Sequence, residues 1–231
     1  MQRNQISIIV PTKNEEKNIV HFLRSVPNDI EVILVDASQD DTRATAHRTH
    51  HKVSCYVEPQ LNIAQARQFG ARRAKTPWLL FSDADVHFSE NYFSNLEMLP
   101  NADAYYGRKQ SSSDEYYIYD QVFSYGQGLS QFFGIPAASG SNMMIHRDAF
   151  QHVGGFDCTL TCNEDTEIFY RLQKKQKVIH FAHQLSVTSH DDRRLRTGAS
   201  KKLLHTITRC TALYFNLLNE EQKKSDWGYW K

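Results

Sequence analysis

The sequence holds 231 residues, with 27 lysines and arginines against 26 aspartates and glutamates and a formal charge of +1 at pH 7. That length buries one substantial core, and so even a charge balance gives no reason to expect a nucleic-acid partner. No apolar run approaches the ~18 residues needed to cross a bilayer, and the first ten residues lack the apolar stretch of a secretory signal. The four cysteines, Cys55, Cys158, Cys162 and Cys210, show no CxxC spacing. Free thiols in a reducing cytoplasm are expected, with a Cys158/Cys162 metal or redox pair as the alternative.

Along the first half, apolar strand-like runs alternate with helix-like segments, the pattern of a parallel sheet covered by helices. Ile6 to Val10 is the first strand, broken by Pro11 and Thr12. Asn14 then stands where an N-cap opens a helix carrying Ile19, Phe22, Leu23 and Val26 on one face. Glu31 to Asp36 is the second strand, ending in an acid and a polar turn through Thr42 that starts another helix. Val53 to Val57 is the third, followed by Asn62 as a cap and a helix from Ile63 to about Ala74. The fourth, Trp78-Leu-Leu-Phe-Ser-Asp-Ala-Asp85, runs into two carboxylates one residue apart. In open α/β sheets ligands bind beyond the carboxyl ends of the strands, so Pro11, Thr12, Asp36, Asp83 and Asp85 belong on one edge.

Two anionic side chains placed together repel each other and resist desolvation unless a cation or a run of hydrogen bonds neutralises them. Oxygen ligands suit Mg²⁺ or Mn²⁺, which keep positions open for substrate phosphates. An Asp-x-Asp alone is equally a solvated turn pair. In the second half, Ser139-Gly-Ser-Asn142 leads into a strand through Met143, Met144 and Ile145, and Gly154-Gly155 permits a tight turn. Asn163-Glu-Asp165 opens an amphipathic helix, where the acids either act chemically or only complement the helix dipole. The aromatic tract from Tyr116 through Phe123, Tyr125, Phe132 and Phe133 reads as core, because a stripe at helical spacing is usually packed inside; stacking on sugar or lipid is the alternative.

Taken in series, Ser7-Ile-Ile-Val-Pro-Thr-Lys-Asn-Glu-Glu16, Ile33-Leu-Val-Asp-Ala-Ser-Gln-Asp-Asp-Thr42, Ala66-Arg-Gln-Phe-Gly70, Phe81-Ser-Asp-Ala-Asp85, Ser139-Gly-Ser-Asn142, Val153-Gly-Gly-Phe-Asp157 and Asn163-Glu-Asp-Thr-Glu167 resemble the inverting glycosyltransferases of family 2. The resemblance covers roughly residues 5 to 200. It implies an α/β fold of the GT-A type, a Rossmann-like, mixed and mainly parallel sheet flanked by helices in a single domain. A divalent metal, Mn²⁺ or Mg²⁺, and direct displacement at the anomeric carbon are implied with it.

By the same resemblance Pro11, Thr12, Glu15, Asp36 and Arg67 bind the donor, with Asp36 accepting a hydrogen bond from the base. Asp85 holds the metal more directly and Asp83 touches ribose or metal-bound water, while His190 is a further metal ligand. Asp165 is the general base, with Glu164, Gly140 and Ser141 at the acceptor. Arg193 and Arg194 form a flap over the donor diphosphate, since guanidinium forks match phosphate oxygens. The local alternatives are a turn acid for Asp36, a dipole-favoured helix acid for Glu15, a solvated helix charge for Arg67, loop histidines for His87 and His190, and an exposed charged loop for Arg193 and Arg194.

The Gln-x-x-Arg-Trp signature of processive members is absent, which argues against polymer synthesis of that kind. The expectation is a catalytic domain over residues 1–200 and, over 201–231, an amphipathic helix and tail. That segment either packs on the domain or lies on a membrane surface, where Trp227, Tyr229 and Trp230 would favour the interface. The expected partners are a nucleotide-diphosphate sugar and a carbohydrate or lipid-linked acceptor, in bacterial polysaccharide or glycolipid synthesis, in the cytoplasm or at the inner face of the membrane. Two other classes remain: a non-catalytic sugar-nucleotide scaffold, against which Asp83, Asp85 and Asp165 argue, and a nucleotidyltransferase, whose Gly-rich basic phosphate loop Val10-Pro-Thr-Lys-Asn14 does not resemble.

Overall fold

The computed structural model describes every residue except 191–195, 197, 216 and 226–231, and the side chains of 199–203. Arg193, Arg194, Trp227, Tyr229 and Trp230 therefore lie outside the described residues. Strand β1 (Ile6–Thr12) pairs in parallel with β2 (Glu31–Asp36) and β4 (Trp78–Phe81), and β2 with β3 (Val53–Val57). Helices α1 (Asn18–Arg24), α2 (Thr42–Thr49) and α3 (Ile63–Arg73) make the crossovers. The second half adds β5 (Val86–Phe88), α4 (Tyr92–Asn95), β6 (Ala104–Ser111), α5 (Tyr117–Phe132), β7 (Met143–His146), α6 (Arg147–His152), α7 (Glu164–Lys174) and β8 (Ile179–Ser189). Helices α8 (Ala199–Tyr214) and α9 (Glu220–Lys223) follow.

One eight-stranded mixed sheet results, in the order β3-β2-β1-β4-β7-β6-β8-β5. Strands β6 and β8 are parallel, whereas the pairs β4–β7, β6–β7 and β5–β8 are antiparallel. All seven residues of β1 are buried, and alternation divides them between two cores. Ile8 and Val10 pack with Val32, Leu34 and the α1 residues Ile19, Phe22 and Leu23. Ile9 faces the other way, with Ile33, Val35, Phe150, Ile168 and Phe169. Each such side chain contributes about 1.5–3 kcal/mol on burial. Helix α3 opens on the Asn62 capping box shared with Gln65, as its sequence predicts. It closes onto β1 at Gly70, where a Cβ would lie 2.4 Å from Ile9 Cγ2.

Two expectations are overturned. Asn14 does not cap α1, which begins four residues later at Asn18; Asn14 takes a left-handed φ of 57°. Its amide and carbonyl side chain instead tie the β1 loop to Ser38 Oγ (2.8 Å) and the Gln39 amide (2.9 Å). Of the aromatic tract only Tyr116 is buried, and the part on α5 is not core. On α5 only Asp120 and Gln127 are buried, while Ile118, Tyr125 and Phe132 are 76%, 78% and 82% exposed. The helix turns its polar side inward and its apolar side out, an arrangement that a periodicity of 3.6 cannot distinguish from its reverse.

Candidate active site

At the open ends of β1 and β2, the buried Asp36 carboxylate accepts from Thr12 Oγ1 and Ser38 Oγ, both at 2.6 Å, and pairs with Arg43 at 3.3 Å. Pro11 and Thr12 are buried beside it in the sheet. The Arg43 side chain is 38% exposed, whereas that of Asp36 is fully buried. Glu15 sits half-buried in the loop before α1, its side chain accepting from Asn18 Nδ2 at 2.7 Å and its amide donating to Thr42 Oγ1 at 2.9 Å. The loops after β1 and β2 are thus stitched together by short polar side chains.

Strand β4 stops at Phe81, and Asp83 and Asp85 follow in the turn before β5. Asp83 is engaged on both oxygens, by Arg67 at 2.7 Å and by Ser141 Oγ at 2.5 Å. Ser141 in turn accepts from Lys109 Nζ at 2.9 Å. Asp85 accepts from Ser189 Oγ at 3.1 Å, and its carbonyl takes the amide of the exposed His190 at 2.9 Å. His190 therefore stands next to Asp85, with the His21 ring 6.2 Å away. Among the described residues no group of three or more His, Cys, Asp or Glu side chains gathers as a metal site. Asp85 and His190 fit an ion that draws its remaining ligands from diphosphate and water, the habit of hard divalent cations.

Helix α7 starts beyond Asn163, which takes φ 61°, and places Glu164 and Asp165 on its first turn. Glu164 is buried and paired with Arg67. Arg67 is 2% exposed and spans Glu164 and Asp83. Burial works against its charge, yet Glu164 and Asp83 overcome this and raise its pKa. Burial pushes Glu164 up to about 7 against the pull of Arg67, with Asp165 adding to the rise. Gly140 makes room for this guanidinium, since a Cβ there would lie 2.4 Å from it. The Gly140 amide donates to Asp165 Oδ2 at 2.6 Å, and the Thr166 amide to Oδ1 at 2.7 Å. Helix α8 packs on α7 through a Tyr170–Tyr214 edge contact at 5.1 Å. There the Cys210 thiol is pushed up to about 11 by burial and by Asp165.

The structure therefore brings Arg67, Asp83, Gly140, Ser141, Glu164 and Asp165 into one cluster, with Asp85 and His190 adjoining it. Pro11, Thr12 and Asp36 form a second group at the neighbouring strand ends. Asp85 and Asp165 are both half-exposed. Arg43 and Lys109 take part without any signal in the sequence that sets them apart, while Ser38 lies within the polar turn that runs to Thr42. Lys109 stands in Arg108-Lys109-Gln110, a polar run near the end of β6.

The sequence profile described as "Glycosyl transferase family 2" matches residues 7–154, well over half of the chain. Among curated proteins, the 4,4'-diaponeurosporenoate glycosyltransferase of Staphylococcus aureus is 31% identical over 172 residues, covering 69% of this chain and 44% of that protein. The chain thus spans less than half the length of that relative. Among solved structures, a mannosyltransferase of Pyrobaculum calidifontis in complex with GDP-Man and Mn²⁺ superposes with a TM-score of 0.68 at 19% identity, over 94% of this chain and 69% of that one. S. aureus TarS 1-349 superposes with a TM-score of 0.64 at 16% identity, over 96% and 72%. These neighbours share the fold, α/β of the GT-A type, and the sequence matches carry the assignment: the chain belongs to glycosyltransferase family 2.

Proposed function

We propose that the chain is a metal-dependent, inverting glycosyltransferase that moves a sugar from a nucleotide-diphosphate donor to a hydroxyl acceptor in polysaccharide or glycolipid synthesis, in the cytoplasm or at the inner face of the membrane. One observation carries the reading. Asp83 and Asp165 are bound to consecutive residues, Ser141 and Gly140, so the donor end of β4 and the first turn of α7 face one another. In this reading Asp165 accepts the proton of the acceptor hydroxyl as its oxygen bonds to the anomeric carbon. The bond from that carbon to the diphosphate breaks on the opposite face, and the nucleotide leaves with the electron pair.

Asp85 and His190 would hold the divalent ion, which would supply positive charge against the departing diphosphate. Asp83 keeps its place through Arg67 and Ser141, and contacts ribose or metal-bound water. Pro11, Thr12, Glu15 and Asp36 shape the nucleoside end. The relative's name, a glycosyltransferase of diaponeurosporenoate, supports a lipid acceptor, and the GDP-Man and Mn²⁺ of the structural neighbour support the donor class and the ion.

Thermal shift against UDP-, GDP- and dTDP-sugars, with and without Mn²⁺, tests the donor half. A stabilisation by one donor class that depends on Mn²⁺ is expected. No shift with any donor would favour a non-catalytic scaffold.

A further inference from the structure

The outer face of α5 has no part in the chemistry above. Ile118, Val122, Tyr125, Leu129 and Phe132 recur at steps of three and four residues and are all exposed, so they form one apolar stripe along the helix. The helix holds no lysine or arginine, and its one acid, Asp120, is turned inward. Three polar contacts fix this orientation. Asp120 accepts from the Ser111 amide at 2.7 Å, Gln127 Nε2 donates to the Ala137 carbonyl at 2.7 Å, and Gln131 Nε2 donates to the Ile179 carbonyl at 2.9 Å. Rolling the helix over to bury the stripe would break all three, so the apolar face is held outward.

The stripe ends in an aromatic pair, Phe132 and Phe133, which meet edge to face at 5.5 Å. Gly134, at φ 70°, closes the helix there, and the Ile135 amide returns to the Ser130 carbonyl at 2.8 Å. Charge is divided along α5. The turn between α7 and β8 lies against its C-terminal end, since Gln131 bonds to Ile179 and a Cβ on Gly134 would lie 3.4 Å from Gln173 Nε2. That turn exposes Lys174, Lys175 and Val178. Lys177 pairs with Asp103 at 3.7 Å, whereas among the described residues Lys174 and Lys175 pair with no carboxylate. The exposed acids Asp114 and Glu115 stand at the opposite end, just before α5 begins.

We infer that this face docks on a bilayer with an anionic surface. Phe132 and Phe133 enter the boundary between headgroups and acyl chains, Lys174 and Lys175 rest on the headgroups, and the acidic end of α5 is raised away. Amphipathic helices lie on membranes with the apolar side down, and each lysine near an anionic leaflet adds to the attraction. The division of charge selects this occupant over a second copy of the chain: the unpaired cations border the apolar tip and the acids are farthest from it. The inference rests on the membrane part of the reading above and names the surface that makes the contact.

The full chain is floated with vesicles of phosphatidylcholine alone and of phosphatidylcholine mixed with phosphatidylglycerol, and its oligomeric state is read by analytical ultracentrifugation. It is expected to be a monomer that floats with the mixed vesicles, far less with the neutral ones, and less as salt rises. Phe132→Ser with Phe133→Ser should lower the partition into mixed vesicles at least about tenfold, part of what burying two phenyl rings supplies. Lys174→Gln with Lys175→Gln should lower it about tenfold on mixed vesicles and leave the neutral ones unchanged. All four side chains are exposed, so both variants should fold. Asp114→Asn with Glu115→Gln, at the raised end, should bind at least as well as the wild type.

No flotation, or flotation that survives the paired phenylalanine change, would overturn the inference. Flotation lost instead in Trp227→Ser with Trp230→Ser would give the contact to the tail, and a stable dimer that the phenylalanine change dissociates would give the face to a second copy; either result overturns it too. The Mn²⁺-dependent donor shift is read on every variant without vesicles. If that shift persists in a chain that does not float, the docking alone is wrong. If the chain floats as expected while no donor shifts the wild type, the docking stands and the transferase reading falls.

Discussion

Arg67 decides the electrostatics of the interior. It neutralises Glu164 and Asp83, carboxylates 97 and 16 residues distant in sequence. Its removal leaves Asp83, and Glu164 once ionised, without their cation, and breaking a buried pair in this way costs about 3–5 kcal/mol. Arg67→Met should therefore lower the free energy of urea unfolding by that order, and Arg67→Lys by less. Glu164 supplies a pH signature. Its carboxyl holds a proton up to about pH 7 in the folded chain, against 4.5 ordinarily. Protonation therefore favours the fold: the contribution of Glu164 is full below 4.5 and is lost as pH rises through about 7. Urea unfolding from pH 4.5 to 8 should show this decline, and Glu164→Gln should flatten it. The motif around Arg67 was legible by resemblance, but its burial was not. Neither local spacing nor periodicity encodes a partner 97 residues away.

Among the elements, α3 is the most tightly fitted. Alanine ordinarily improves a helix over glycine by about 1 kcal/mol, yet at Gly70 the added methyl runs into Ile9. Gly70→Ala should lower stability by about 1–3 kcal/mol, the usual cost of overpacking, as measured by thermal unfolding. Survival or gain of stability would mean that α3 can shift on β1. The elements that position the donor side were readable because each carries its own signal. The runs in β1, β2 and β3 are continuous and apolar, and Asn62 announces the start of α3. Helix α5 and strands β6 and β8 carry no such signal. Ile118, Val122, Tyr125, Leu129 and Phe132 recur at helical intervals whether they face core or solvent, and β6 ends in polar residues because it borders the site. The break in register between β6 and β8 at Gly107 is set by a distant carbonyl, that of Leu185, and leaves no local trace.

For the whole molecule, the sheet order sets the account: β7 inserts between β4 and β6 and delivers Gly140 and Ser141 to the space between Asp83 and Asp165. On the proposed reading the two halves of the chain have separate duties, with the nucleoside end of the donor at the parallel half, the base on α7, and the ion between Asp85 and His190. Among the described residues no helix is long and apolar enough to cross a membrane. The division of duties is tested most directly by measuring donor binding and single-turnover transfer side by side in Asp165→Asn and Asp85→Ala, with Mn²⁺ present. The account predicts that Asp165→Asn binds donor as the wild type does and transfers no sugar, while Asp85→Ala loses both. Normal turnover in Asp165→Asn, or undiminished Mn²⁺-dependent donor binding in Asp85→Ala, would contradict it.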